Sequence, residues 1–330
     1  MQQPFLIDTD MAFDDWMAIL YLLQSPMVDV KAITIAATGE AYARPAIYHA
    51  RQLVSLCQRE PLPVAAGRRH PLRGHQRFPW FVRLAMSMRL GIRLPRPRPG
   101  VGVHLHTLLQ QAPTTAVALM AQQLEAANQP VTIVALGPLT NLAELITLYP
   151  QWLPKIKMIY AMGGALHVPG NIAEINQRID NPYAEWNIFI DPHAAAIVFD
   201  SGLPITLVPL DVTNQAPISL DFYARTMQHD APAAEFMHLL LRRLLYLIQR
   251  NRAYFWDPTA AVIATDNSLA SFVYEGIRVE LEPGNQLGRT VVVEQGAPIR
   301  VCAAIDQTAF EDLLWQTLSH NERLQGEDAS

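Results

Sequence analysis

Lysine is almost missing from this chain. Only Lys31, Lys155 and Lys157 occur in 330 residues, each at or before the start of a strand-like run. Cysteine is as scarce: Cys57 and Cys302 stand far apart in apolar surroundings, which excludes a disulfide framework and a cysteine-based metal site. Charged residues make up 17% of the chain and the formal net charge is -5, which argues against a general nucleic-acid binder. No apolar run approaches the roughly 20 residues of a membrane-spanning helix. The first residues enter an apolar strand directly, without the basic segment and cleavage pattern of a secretory signal, so a cytoplasmic location is expected. No Asp or Glu occurs between Glu60 and Glu125, yet nine arginines lie between Arg68 and Arg98.

What is present is a globular composition, 50% hydrophobic, able to bury a large core. Strand-like and helix-like runs alternate. Residues 5–7, 30–37, 131–136, 156–161 and 205–209 read as strands, and residues 15–23, 43–57, 139–148 and 194–199 as helices. Such βα repetition predicts an α/β fold with a central, mostly parallel sheet flanked by helices. Residues 233–254 read as a helical stretch, 273–303 as a small C-terminal β-hairpin region, and 306–318 as a closing helix. A single domain over residues 1–330 is expected. Residues 67–115 form an irregular Arg/Pro-rich loop containing "PRPRPG", and residues 321–330 a frayed tail.

The stretch "LIDTDMAFDDWMAILYLL" sets Asp8, Asp10, Asp14 and Asp15 where a strand meets a helix. A helix cap would use one carboxylate, or two. Four crowded together repel one another, and a cation relieves that repulsion. Oxygen-only ligands suit Ca²⁺ or Mg²⁺. In an extended segment Asp8 and Asp10 fall on one side, two residues apart. Asp14 and Asp15 open the helix and diverge, so one can hold a metal while the other reaches a substrate hydroxyl. Phosphoryl transfer of the haloacid-dehalogenase type also begins with D-x-D, but it wants a lysine near the site and a later acidic pair. The three lysines lie away from the functional rim, and no such pair follows a strand.

"DTDMAFDD" resembles the D-x-D-x-x-x-D-D signature of the nucleoside hydrolases. The resemblance continues through "VALGPLTNLA" (134–143), "AMGGALHVPGN" (161–171), "AEWNIFIDPHAA" (184–195), "PLDVT" (209–213) and "WDPTAA" (256–261). It covers most of the chain in order, and it points to the inosine-uridine preferring family and, within it, to the purine-specific inosine-adenosine-guanosine type. The resemblance implies the nucleoside hydrolase fold, a bound Ca²⁺, a homodimer or homotetramer, and a small-molecule nucleoside as the partner, with no nucleic acid or membrane.

By resemblance, Asp10, Asp15, Asp257 and the backbone carbonyl of Leu136 are the metal ligands, and Asp10 is the general base toward a water molecule. Asp14 contacts the ribose hydroxyls, and Asp8 orients Asp10 or the water from behind. Asp257 can also cap the helix it begins, with Pro258 in the first turn. Asn171, Glu185 and Asn187 match the ribose clamp, with Asn181 as a rival for the Asn171 role. Met162 lines the ribose floor. Trp186 stands within "EWN", where a bulky aromatic is usual, and is read as packing at the substrate site.

Specificity rests on three positions. Where broad or pyrimidine-preferring members carry a His before the late Asp, this chain has Trp256. Trp80, in "RFPWFV", offers a second face for a sandwiched purine. Glu40 stands where the purine group has a carboxylate toward the ribose 5′-hydroxyl. The expected reaction is Ca²⁺-dependent hydrolysis of purine ribonucleosides to free base and ribose, with the base activated by Trp stacking. A broad or pyrimidine preference, or another ribosyl substrate, is the alternative. The histidines His70, His75, His104 and His106 are rival leaving-group acids. Met11-Ala12 replaces the usual Pro-Gly, so Ala12 is expected to take up the backbone shape that Gly would adopt. The arginines keep open a binding protein for RNA, membrane or an acidic partner, with a vestigial site.

Overall fold

The computed structural model describes residues 2–88, 92, 115–228, 231–296 and 298–320. "PRPRPG", His104, His106 and the tail from residue 321 lie outside the described residues, and with them the readings made there.

The centre is a nine-stranded sheet in the order β3-β2-β1-β4-β5-β6-β9-β7-β8. Its strands are β1 (Gln3–Thr9), β2 (Val28–Ile35), β3 (Val64–Ala66), β4 (Val131–Ala135), β5 (Ile156–Met162), β6 (Ile205–Val208), β7 (Ala270–Val279), β8 (Thr290–Val293) and β9 (Pro298–Ile305). Strands β3 to β9 in that order pair in parallel, and β7 alone runs against its neighbours. β1 is buried from Pro4 onward and β4 throughout, as expected of parallel strands covered on both faces. The expected C-terminal hairpin is present as β7–β8. β9 then returns on the other side of β7 and joins the hairpin to β6, so this region completes the main sheet.

The order reverses around β1. β2 and β3 build outward on one side, and β4, β5 and β6 on the other. Ligands bind beyond the carboxyl ends of strands at such a switch point. Asp10 follows β1 there, and Leu136 follows β4.

Helices α1 (Phe13–Gln24) and α2 (Ala43–Leu56) follow β1 and β2. The segment expected to be irregular contains α3 (Trp80–Ser87). Its buried side chains are Val82, Arg83 and Met86, while Trp80, Phe81 and Leu84 are exposed. The exposed face is as apolar as the buried one, which carries Arg83, so the sequence does not show which face is buried. α4 (Ala116–Ala126) and α5 (Thr140–Leu148) flank β4. Glu185 and Asp191 cap α6 (Trp186–Ile190) and α7 (Pro192–Phe199). α8 (Pro232–Ile248) stops earlier than expected, in a turn where Asn251 takes a left-handed φ of 51°. α9 (Trp256–Thr265) packs on α1, and α10 (Gln307–Ser319) closes the chain.

Candidate active site

β1 ends at Thr9, and the chain must turn at once into α1. Asp15 organises that turn. Its carboxylate accepts the amides of Asp10 at 3.2 Å and Ala12 at 2.9 Å, together with the Thr9 hydroxyl. These are donors that a helix start otherwise leaves unsatisfied. The left-handed residue is Met11, at φ 62°, while Ala12 is extended at φ -68°. The expectation that Ala12 carries the Gly-like conformation is therefore corrected. The reversal falls one residue earlier, because the Met11 amide must turn back to Thr9 Oγ1 at 3.0 Å.

Asp10 is held from the β2 side. The Glu40 amide donates to its Oδ2 at 3.0 Å, and the Ala41 amide to its backbone carbonyl at 3.0 Å. Residue 39 must be glycine here, because a Cβ would overlap the Asp10 side chain. Asp8 lies beneath, fully buried, where its Oδ1 accepts from Thr34 Oγ1 at 2.6 Å and Asn141 Nδ2 at 2.7 Å. It does not line the cavity. Burial pushes its carboxyl up to about 7.

The packing of α9 on α1 brings two helix starts together. Carboxylate oxygens of Asp14, Asp15 and Asp257 come within 4.8 Å of one another, all buried. Asp10 lies outside that tightest triple but lines the same cavity. Burial, and then the charges of their neighbours, push Asp14 and Asp15 up to about 7 and Asp10, Asp257 and Glu40 well above the usual carboxylate range. Among the described residues, no lysine, arginine or histidine forms an ion pair with any of them. A buried, oxygen-only, unneutralised donor set of this kind fits a hard divalent cation.

The opposite wall comes from β4, β5 and α6. Glu185 caps α6: its Oε1 accepts from the Asn187 amide at 2.9 Å, and its Oε2 from Gly164 at 3.0 Å and Ile188 at 3.2 Å. Burial raises its pKa, and these donors oppose the rise. Asn187 Nδ2 donates to the carbonyls of Leu136 and Met162, each at 3.2 Å, and so ties together the ends of β4 and β5. Asn171 lines the cavity and accepts from the Trp186 amide at 3.1 Å. Its rival Asn181 is spent on a turn, accepting from Tyr183 and Ala184 and donating to the Leu287 carbonyl. It does not line the cavity.

These groups surround a cavity of about 310 Å³, of ordinary ligand-binding size. Asp10, Asp14, Asp15, Glu40, Leu136, Met162, Glu185, Asn187 and Asp257 all line it. Its other end is aromatic. Trp256 meets Phe13 edge-on at 6.1 Å, and Phe78 stacks on Trp186 at 4.6 Å and 22°. Trp80 is a correction: it is 68% exposed on α3 and does not line the cavity. Phe78, two residues earlier, takes that place, and Trp186 forms wall as well as packing. The helical turn beginning at Trp80 directs its ring outward. His70 and His75 are exposed and also lie off the cavity. Ile175, Leu247 and Arg252 line it as well and had no distinguishing sequence signal.

An N-glycosyl hydrolase for ribonucleosides is the class that this fold and site define. The chain belongs to the inosine-uridine preferring nucleoside hydrolase family, whose model matches residues 5–312. It is 30% identical to the pyrimidine-specific ribonucleoside hydrolase RihA of Photobacterium profundum, across 97% of this chain and all of that protein. It is 32% identical to RihA of Shigella boydii, across 95% and 97%. Among solved structures, a plant nucleoside hydrolase, PpNRh1, superposes with a TM-score of 0.81 at 29% identity, covering 97% of this chain and 99% of that one.

Proposed function

We propose that this protein is a Ca²⁺-dependent nucleoside hydrolase with a preference for purine ribonucleosides. The observation that carries the preference is the chemistry of the cavity wall: aromatic side chains at the base end, and no histidine among the described lining residues. A departing base gains electron density, and among the described lining residues the aromatic side chains of Trp256, Phe78 and Trp186 are groups that can favour an electron-poor, protonated purine. The fused rings of a purine offer the larger face.

Asp10, Asp15, Asp257 and the Leu136 carbonyl would hold the cation, with Asp14 close enough to share in it. When bound, the cation neutralises the carboxylate cluster and lowers the pKa of a coordinated water. Asp10, oriented by the Glu40 amide, takes the proton from the attacking water. Asp14 grips the ribose 2′- and 3′-hydroxyls. Asn171, Glu185 and Asn187 complete the ribose clamp above Met162, and Glu40 takes the 5′-hydroxyl. Bond cleavage leaves an oxocarbenium-like ribosyl cation. The buried charge of Glu185, fixed by three backbone amides, stabilises it without rearrangement.

A pyrimidine preference is the second reading, favoured by the names of the RihA relatives. Initial rates on inosine, guanosine, adenosine, uridine and cytidine, with and without a Ca²⁺ chelator, decide between them. Faster turnover of uridine and cytidine than of the purines would overturn the purine assignment, and rates unaffected by chelation would overturn the metal assignment.

A further inference from the structure

Arg83 stands apart from the other described arginines of its segment. Arg68, Arg69, Arg73 and Arg77 are exposed, whereas Arg83 on α3 is buried. Its Nη2 donates to the carbonyl of Ala37 at 3.0 Å and to that of Ala41 at 3.2 Å, and its guanidinium lies over the Tyr42 ring at 4.7 Å. Nearby, Ser87 Oγ of the same helix accepts the Tyr42 amide at 2.9 Å. The segment gripped in this way is the 37–42 turn. From its other side, the amides of Glu40 and Ala41 reach Asp10.

This arrangement has a simple cause. A turn that aims its amides at a buried carboxylate must aim carbonyls the other way, and buried carbonyls need donors. Arg83 supplies donors to the carbonyls on both sides of Gly39-Glu40. Anchoring α3 alone does not require a cation: Val82 and Met86 are already buried on that face, and Arg83 has no ion-pair partner among the described residues, which makes burying its guanidinium costly. The guanidinium also brings positive charge toward Asp10.

We infer that Arg83 is a positioning residue for the hydrolytic centre: through the 37–42 turn it sets the orientation of Asp10. The inference rests on the proposed role of Asp10 as base, and two measurements keep the two apart. The first needs no activity. Hydrogen–deuterium exchange on the full chain should accelerate in the peptide covering 37–42 in Arg83→Met, while peptides of α9 keep the parent rate. Unchanged exchange at 37–42 would overturn the inference whatever the substrate proves to be.

The second is a double-mutant cycle on nucleoside hydrolysis. Arg83→Met should lower kcat by on the order of ten- to a hundredfold, the scale of a small misplacement of a reacting group. Arg83→Lys should recover part of that loss, since an ammonium can serve one of the two carbonyls. In an Asp10→Asn background, Arg83→Met should cost less than about threefold, because the group it positions is already gone. An equal fold-loss in both backgrounds would mean that Arg83 only supports the fold. If Arg83→Met does not fold, Arg83→Lys takes its place in both measurements, with smaller changes of the same sign expected. Parent protein inactive on every nucleoside would count against the proposed function, while faster exchange at 37–42 would still support the positioning contact.

Discussion

Phe78 stacks on Trp186 with ring centroids 4.6 Å apart and planes 22° from parallel, and both rings line the cavity. The pair joins the segment before α3 to the start of α6, so the aromatic wall is built from two distant parts of the chain. Phe78→Ala should raise the KM for a purine nucleoside roughly tenfold, the scale of one lost aromatic contact plus its buried area. Trp80→Ala should stay within about twofold of the parent, since surface changes away from a site cost little. Steady-state kinetics on inosine tests both. A larger loss from Trp80→Ala than from Phe78→Ala would return Trp80 to the site.

Trp256 reaches the cavity from the opposite side. If its face stabilises the departing base, Trp256→Ala should lower kcat on inosine by about five- to thirtyfold, corresponding to roughly 1–2 kcal/mol. p-Nitrophenyl riboside, whose leaving group needs little help, should lose much less. Equal kcat losses on the two substrates would reduce Trp256 to a shape-forming residue.

Asp10→Asn keeps an oxygen for the cation but cannot accept a proton. Turnover should fall by about two to four orders of magnitude, while Ca²⁺ still binds when followed by calorimetry. Near-parental turnover in the Ca²⁺-loaded variant would assign the base elsewhere.

The carboxylate cluster also makes stability depend on pH. Asp14 and Asp15 are pushed up to about 7 from an ordinary value of 3.8, first by burial and then by the charge of Asp10 on Asp14 and of Asp14 on Asp15. A carboxyl raised on folding favours the folded state below its unfolded pKa, and that contribution is lost as pH rises from about 4 through about 7. In chelator, the melting temperature should therefore drop between about pH 5.5 and pH 8. Ca²⁺ should stabilise the protein more at the higher pH, where the carboxylates are ionised and available to it. Thermal unfolding at the two pH values, with Ca²⁺ and with chelator, measures this. A Ca²⁺-induced shift of the same size at both would contradict it.

The sequence by itself determined the parts that are local. Alternation of apolar runs and helical periods is a property of neighbouring residues, so β1, α1, β2, β4 and α5 were legible. So was the crowding of Asp8, Asp10, Asp14 and Asp15 after a buried strand, because their repulsion follows from spacing alone. Resemblance extended this to Asp257, Glu185 and Asn187, which no local pattern connects to "DTDMAFDD". Only the tertiary structure decided what depends on directions in space. It placed Phe78 rather than Trp80 on the cavity, because Phe78 precedes α3 and packs on the distant Trp186, while α3 buries Val82, Arg83 and Met86 and leaves Trp80 exposed. It put the left-handed residue at Met11 and left Ala12 extended, because the Thr9 hydroxyl accepts the Met11 amide while the Asp15 carboxylate accepts the Ala12 amide. It separated Asn171 from Asn181 and buried Arg83 among exposed arginines for the same reason: a polar side chain's role is set by which partners the fold brings within about 3 Å, and that distance is not written in the order of residues.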